Sequence, residues 1–304
     1  MEFFTHKTKI DFMAQRKWAF LFSIAILLFS VGSMVTRGLN FGLDFTGGIQ
    51  LELSYEIPPD LSQVRNKLAD IDLDAIVKSY GSSQDVLIKL KIDKELTQQQ
   101  LTDKVLNVLE EANLRRAEMI GAQVGKALVM DGILAILIAL LGTMIYIAFR
   151  FEYRFALGAV ISLIHDPLLI TGIFSFFHIE FDLIALAALL TVIGYSLNDT
   201  IVVYDRVREN FRKVRKATTE EILNLSINQT LSRTIMISGL TFSIVTALLV
   251  FGGQMLRGFS LAMMVGIATG TYSSIYIAGS LALLFGLDRK HLVTAEKKIV
   301  DSRP

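Results

Sequence analysis

The chain has no cysteine among its 304 residues. Disulfides, thiol nucleophiles and cysteine-based metal sites are therefore excluded, and the absence fits a domain facing an oxidising compartment. Histidine is scarce too: four copies, too scattered for a metal centre. Neither sign of charge dominates. The net formal charge is +1, so nothing global points to nucleic acid or another polyanion as a partner. A nucleotide-binding loop is also missing. Gly121…Gly125-Lys126 superficially resembles a phosphate loop, but it is one residue short between the glycines and has Ala127 where a Ser or Thr is needed. ATP is not the expected energy source, and the chain does not read as an enzyme.

Apolar sequence is what the chain has in excess. It is 52% hydrophobic with a mean hydropathy of +0.51, too apolar for an ordinary soluble domain. The excess gathers into runs of about 20 residues, the length that crosses a hydrocarbon core of roughly 30 Å. Six spans are expected, at 18–36, 128–149, 155–177, 182–204, 231–251 and 258–285. Each must be helical, because an isolated strand in lipid leaves its backbone groups unpaired. The first run is longer than a signal peptide's apolar core and lacks a small-residue cleavage site, so it reads as an uncleaved span.

Basic residues sort to one side of this layout. Lys7, Lys9, Arg16 and Lys17 lie in segment 1–17, and Arg150 and Arg154 lie between spans 2 and 3. Arg206, Arg208, Arg212, Lys213, Arg215 and Lys216 lie in segment 205–230. Arg289, Lys290, Lys297, Lys298 and Arg303 lie in segment 286–304. The opposite short loops hold only Arg257. By the positive-inside rule both termini are expected in the cytoplasm and segment 37–127 outside it.

Segment 37–127 reads as a small α+β domain. Ile49–Tyr55 alternates with period two, a strand signal. Pro58-Pro59-Asp60 opens a helix to about Ile71. Ala75–Tyr80 and Val86–Ile92 flank Gly81-Ser82-Ser83-Gln84 as a hairpin. Thr97 caps a helix to about Asn113, and Leu114–Ile120 is a last strand. The order β-α-β-β-α-β is the ferredoxin-like arrangement. Later, Ile222, Leu223, Leu225 and Ile227 are spaced for a helix lying on the membrane surface. A solvated connector fits them equally.

Ionisable residues inside spans are expensive: roughly 2.5–3.5 kcal/mol for a carboxylate at a helix centre on insertion scales. Asp199 in span 4 is one, with Ser196 and Tyr195 on its face at i−3 and i−4. Arg233, near the start of span 5, is a partner of similar depth. One reading is a titratable carboxylate with a movable arginine. The other is an arginine reaching the headgroups beside a satisfied packing residue. His165-Asp166-Pro167 lies in mid-span 3 and reads either as a second proton station or as a hydrogen-bonded kink. Gly42, Asp44, Phe45, Gly47 and Gly48 join span 1 to the outer domain, and Gly121 and Gly125 lead out of it; glycine density implies a hinge or close backbone approach. Gly266 and Gly270 form a small-xxx-small contact pattern, with Thr271, Ser273 and Ser274 lining a polar seam.

Two motifs together carry a resemblance: Gly42-x-Asp44-Phe45-x-Gly47-Gly48 after span 1, and the run ALLTVIGYSLNDTIVVYDRVREN from Ala188 to Asn210. They are similar to the SecD/SecF family of protein-export membrane proteins, in its SecF branch, relatives of the RND transporters. The likeness covers essentially the whole chain. It implies a polytopic α-helical membrane protein of the bacterial inner membrane that pairs with SecD, which supplies six more spans and a larger outer domain. It implies association with the SecYEG channel, with YajC and YidC as further candidate partners, and a translocating preprotein as substrate. It implies use of the proton-motive force, with no other cofactor, to draw polypeptide outward after the ATP-driven step of SecA. Asp199 and Arg233 then belong to a proton pathway, for which Asp166, His165, Asn198, Ser196 and Tyr195 are further candidates. Pro167 departs from the family pattern, where an aliphatic residue follows His-Asp. Two other functions compete. An RND-type small-molecule exporter is opposed by the short outer segment, and a passive assembly factor by the buried ionisable residues.

Overall fold

Helix α1 (Arg16–Arg37) starts where the basic N-terminal segment gives way to unbroken apolar sequence. The computed structural model describes residues 8–71, 73, 75–90 and 97–288. Lys7, the end of the expected strand at 91–92, and the basic tail from 289 onward lie outside the described residues.

After α1 come a short strand β1 (Asn40–Phe41) and a single helical turn α2 (Leu43–Thr46). The outer domain follows as β2 (Gly48–Tyr55), α3 (Leu61–Ala69), β3 (Ala75–Tyr80), β4 (Ser82–Leu90), α4 (Gln98–Val108) and β5 (Ala112–Ile120). Its sheet is antiparallel in the order β3-β4-β2-β5, the ferredoxin-like topology. Ile49, Leu51 and Leu53 point to one face of β2 and are fully buried under α3 and α4, against Leu68, Leu101 and Val105. Burial of that kind contributes roughly 1.5–3 kcal/mol per side chain. Asp60 caps α3 by accepting from the Ser62 N–H, and Thr97 with Gln100 forms a capping box on α4. The hairpin is tighter than the sequence implies: Tyr80 pairs with Ser82 across Gly81, whose φ of +71° suits glycine.

The bundle consists of α1, α5 (Ala122–Arg150), α6 (Tyr153–Phe176), α7 (Leu183–Lys213), α8 (Thr219–Phe251) and α9 (Arg257–Ser273). A second short strand, β6 (Glu180–Phe181), precedes α7, and α9 runs through a π turn at Ser274–Ala278 into α10 (Gly279–Leu284). All six spans are long and apolar enough to cross a membrane. The central helix is α7, which packs against α5, α6, α8 and α9.

Within segment 205–230 only residues 214–218 form a connector, and no separate helix lies between α7 and α8. Helix α7 continues to Lys213 and α8 begins at Thr219, behind a Thr218–Glu221 capping box. At 31 residues α7 is about 46 Å long, well beyond a hydrocarbon core of ~30 Å. Ile222, Leu223 and Ile227 are buried against Val207 and Phe211 of α7 and against Phe12 and Met13. No proline interrupts either helix, so apolar spacing that suits a membrane surface serves a helical hairpin instead.

The basic segments meet at this end of the molecule. Arg16 pairs with Glu220 at 2.5 Å, Arg150 with Asp205 at 2.9 Å, and Arg154 donates to the Phe285 carbonyl. The outer domain sits at the opposite end, beside the α6–α7 loop.

Candidate functional site

Asp166 is fully buried and draws three helices together. Its Oδ2 accepts from Ser196 Oγ of α7 at 2.6 Å and from Ser273 Oγ of α9 at 2.9 Å. Its Oδ1 lies 3.1 Å from His165 Nδ1. An ionised carboxylate is acceptor-only, so two hydroxyls and a ring N–H match its needs. With Nδ1 donating, His165 Nε2 is left as a buried atom with no partner among the described residues. Tyr272 lies beside the imidazole, 6.4 Å between ring centroids, and its hydroxyl donates to the Ala19 carbonyl of α1 at 2.7 Å.

Local sequence explains the convergence. Gly266 and Gly270 strip one face of α9, so α7 comes close. A Cβ at Gly266 would stand 2.2 Å from Val192 Cγ2, and one at Gly270 would stand 3.1 Å from Ser196 Cβ. Pro167 has no N–H to give Leu163, yet α6 passes through it without a break. A second hydroxyl row lies below. Thr200 meets Ser274 at 2.9 Å, and Ser274 also reaches the Ser196 carbonyl. The π turn is braced by Tyr204, whose hydroxyl donates to the Ala278 carbonyl at 3.1 Å. Such turns recur at functional sites.

The residues named from sequence divide into three groups. Asp166, His165 and Ser196 form the cluster just described. Tyr195 belongs to a separate chain, donating to Ser238 Oγ at 3.1 Å, which in turn meets Thr271 at 2.9 Å. Asp199 is buried, but its carboxylate makes no hydrogen bond among the described residues, and Oδ2 is sealed from solvent. Arg233 and Asn198 are exposed on the bundle surface, and no ion pair joins Arg233 to Asp199. Thr200 and Ser238 were not legible as site members. Their only signal is hydroxyl spacing, Ser196 and Thr200 at i, i+4.

The glycine-rich joints pack on each other rather than forming a free hinge. A Cβ at Gly125 would sit 2.5 Å from the Phe45 carbonyl oxygen, and one at Gly48 would sit 2.5 Å from the Leu90 carbonyl oxygen. Gly42 donates to the Phe181 carbonyl at 2.9 Å, beside a two-residue parallel pairing of β1 with β6. Asp44 accepts from the Leu183 N–H at 3.0 Å and Asp182 from Ala185 at 2.8 Å, so both carboxylates tie down the start of α7. Phe45 stacks on Phe181. Gly121 faces open space.

Glu180, which the sequence did not single out, links the outer domain to this joint. It pairs with Lys89 of β4 at 2.9 Å and with Lys78 of β3. Burial pushes its carboxyl up, but the two lysines outweigh that and hold it below the ordinary value. Burial pushes the neighbouring Asp182 up, against the Ala185 N–H.

Comparison with known proteins agrees with this architecture. Residues 100–288 match the family "Protein export membrane protein SecD/SecF, C-terminal", and residues 32–56 match the "SecD/SecF GG Motif". The protein translocase subunit SecF of Pseudomonas aeruginosa is 47% identical, over 97% of this chain and 98% of its own. That of Escherichia coli O157:H7 is 44% identical over 96% and 93%. The crystal structure of SecDF, a translocon-associated membrane protein from Thermus thermophilus, superposes with a TM-score of 0.81 at 33% identity, covering 93% of this chain. The chain spans only 39% of that SecDF polypeptide. It belongs to the SecD/SecF family of protein export membrane proteins, on the side of the protein translocase subunits SecF.

Proposed function

We propose that this translocase subunit works with SecD in the bacterial inner membrane, both termini cytoplasmic, and uses the proton-motive force to promote polypeptide export after the ATP-driven step of SecA. Association with the SecYEG channel follows from the same reading, and YajC and YidC are further partners to test. The carrying observation is the His165–Asp166 pair, buried at a three-helix contact and held by Ser196 and Ser273. The outer nitrogen of that histidine and an oxygen of Asp199 are buried without partners among the described residues. Buried unpaired groups cost roughly 1–3 kcal/mol each, more when charged, and a passive scaffold has no use for them. A membrane potential supplies ~2.3 kcal/mol per charge per 100 mV. Gain or loss of a proton at Asp199, whose carboxylate no hydrogen bond holds among the described residues, changes the charge inside α7 and so its packing against neighbouring helices, with the Asp166 cluster as the fixed contact. Repacking of α7 reaches the outer domain through Leu183, Asp182 and Glu180 at its start.

The test is export into inverted membrane vesicles, with and without a proton gradient, for Asp166→Asn and Asp199→Asn chains. SecD association is checked by co-purification. Loss of the gradient-dependent increment with assembly intact supports the proton role. An unchanged increment in both variants removes it.

A further inference from the structure

Where α5 ends at Arg150 against the flanks of α7 and α8, an open cleft of about 870 Å³ is lined by six cations and two carboxylates. Three cations are answered: Arg150 by Asp205 at 2.9 Å, and Arg206 and Lys213 by Glu209 at 2.8 and 2.5 Å. The other three, Arg208, Arg212 and Arg233, meet no carboxylate among the described residues. Gln229 sits among them with its carbonyl oxygen already taken by Asn210 Nδ2 at 2.9 Å, so its remaining polar group is the donating NH2. Apart from the lone pairs left on Asp205 and Glu209, the open hydrogen-bonding capacity of the cleft is donors and positive charge, which suits an oxyanion that accepts in several directions.

We infer that this cleft binds the phosphate of an acidic phospholipid headgroup. A phosphate could also come from a soluble ester, and three observations favour the lipid. The cleft lies where α5 ends at Arg150 and where α7 outruns the hydrocarbon core, which is headgroup depth. Apolar surface runs directly into it: Phe149 is 89% exposed and Tyr146 is 50% exposed, on a span only 11% buried, so acyl chains have a bed beside the anion site. No aromatic side chain lines the cleft to stack a base. Basic pockets between spanning helices are where anionic headgroups dock. A general preference for positive charge on one side of the membrane would place these residues anywhere on the surface. It does not collect around one concavity a donor amide and three arginines that meet no carboxylate among the described residues, one of them, Arg208, donating only to the Arg150 carbonyl.

The experiment is native mass spectrometry of the full chain in a neutral detergent, titrated with palmitoyl-oleoyl phosphatidylglycerol and, separately, with phosphatidylcholine of the same chains. Inorganic phosphate and glycerol phosphate serve as competitors. Phosphatidylglycerol should bind preferentially. Arg208→Gln combined with Arg212→Gln should weaken it about 30-fold, the effect of two charges near a headgroup. Arg208→Lys with Arg212→Lys should retain most of the binding, and Lys9→Gln with Lys17→Gln should leave it unchanged. Thermal unfolding of each variant checks that loss of lipid is not loss of fold. Three results overturn the inference. One is no preference for phosphatidylglycerol. Another is an equal loss in the Lys9 and Lys17 pair. The third is displacement by inorganic phosphate or glycerol phosphate at concentrations comparable to the lipid's, which would make the ligand a soluble phosphate.

Discussion

Ser196 Oγ donates to Asp166 Oδ2 over 2.6 Å, whereas the carboxylate of Asp199, three residues along α7 from Ser196, makes no hydrogen bond among the described residues. The two carboxylates therefore stand in opposite conditions. One is saturated by partners from three helices, and the other is buried with an open oxygen. Asp166 is placed to hold the bundle in one packing, and Asp199 to change state at little structural cost.

That contrast separates two substitutions. Asp166→Asn replaces an acceptor with an amide facing two donor hydroxyls, and should cost about 1–3 kcal/mol of stability as well as gradient-dependent export. Asp199→Asn removes no side-chain hydrogen bond among the described residues and should cost clearly less stability than Asp166→Asn while losing the same export. Thermal unfolding in detergent, set beside vesicle export, reads both. Equal destabilisation by the two changes would contradict the assignment.

Close approach at the joint predicts a size limit. Gly125→Val forces a side chain onto the Phe45 carbonyl, 2.5 Å from a Cβ, and should cost roughly 1–3 kcal/mol. Gly121→Ala, four residues earlier, meets open space and should be nearly silent. Limited proteolysis between α1 and β2 would show whether the joint opens in the first and stays closed in the second.

The contact between α7 and α9 should be equally intolerant. Gly266→Val drives Val192 away from a position 2.2 Å from the new Cβ, and so separates Ser273 from Asp166. Export should fall together with melting temperature. A parent-like melting curve would mean the helices can separate without penalty.

Glu180 makes docking of the outer domain depend on acid. Its folded pKa lies below the unfolded value because of Lys78 and Lys89, despite burial. The pairing therefore stabilises fully above the ordinary glutamate value of about 4.3, and is lost as pH falls through the lowered folded value. Hydrogen exchange in β3 and β4 of the full chain, expressed as protection relative to the intrinsic rate at each pH, should show strong protection at neutral pH and weaker protection in strong acid. Glu180→Gln should bring fast exchange already at neutral pH. Slow exchange in that variant would show that other contacts hold the domain.

Tyr204→Phe should cost about 1 kcal/mol by releasing the Ala278 carbonyl in the π turn. Unchanged stability by denaturant titration would show that this carbonyl finds another donor.

Local pattern by itself determined a good deal of this protein. Six apolar runs, period-two alternation at Ile49–Tyr55 and caps at Asp60 and Thr97 are decided within a few residues by lipid thickness and backbone hydrogen bonding. They were readable as a six-helix membrane protein with a ferredoxin-like insertion. The Asp166 cluster was readable only as a list of costly residues. Which of them meet depends on the approach of α6, α7 and α9, and thus on partners such as Ser273, 107 residues away. Tertiary structure alone decided that Asp199 and Arg233, the pair most visible in sequence, do not touch. It also decided that Ile222, Leu223 and Ile227 extend α8 instead of lying on the membrane, and that Glu180 bridges to two lysines about a hundred residues upstream. Charge and hydrophobic spacing state what a residue needs; only packing of distant segments states which neighbour supplies it.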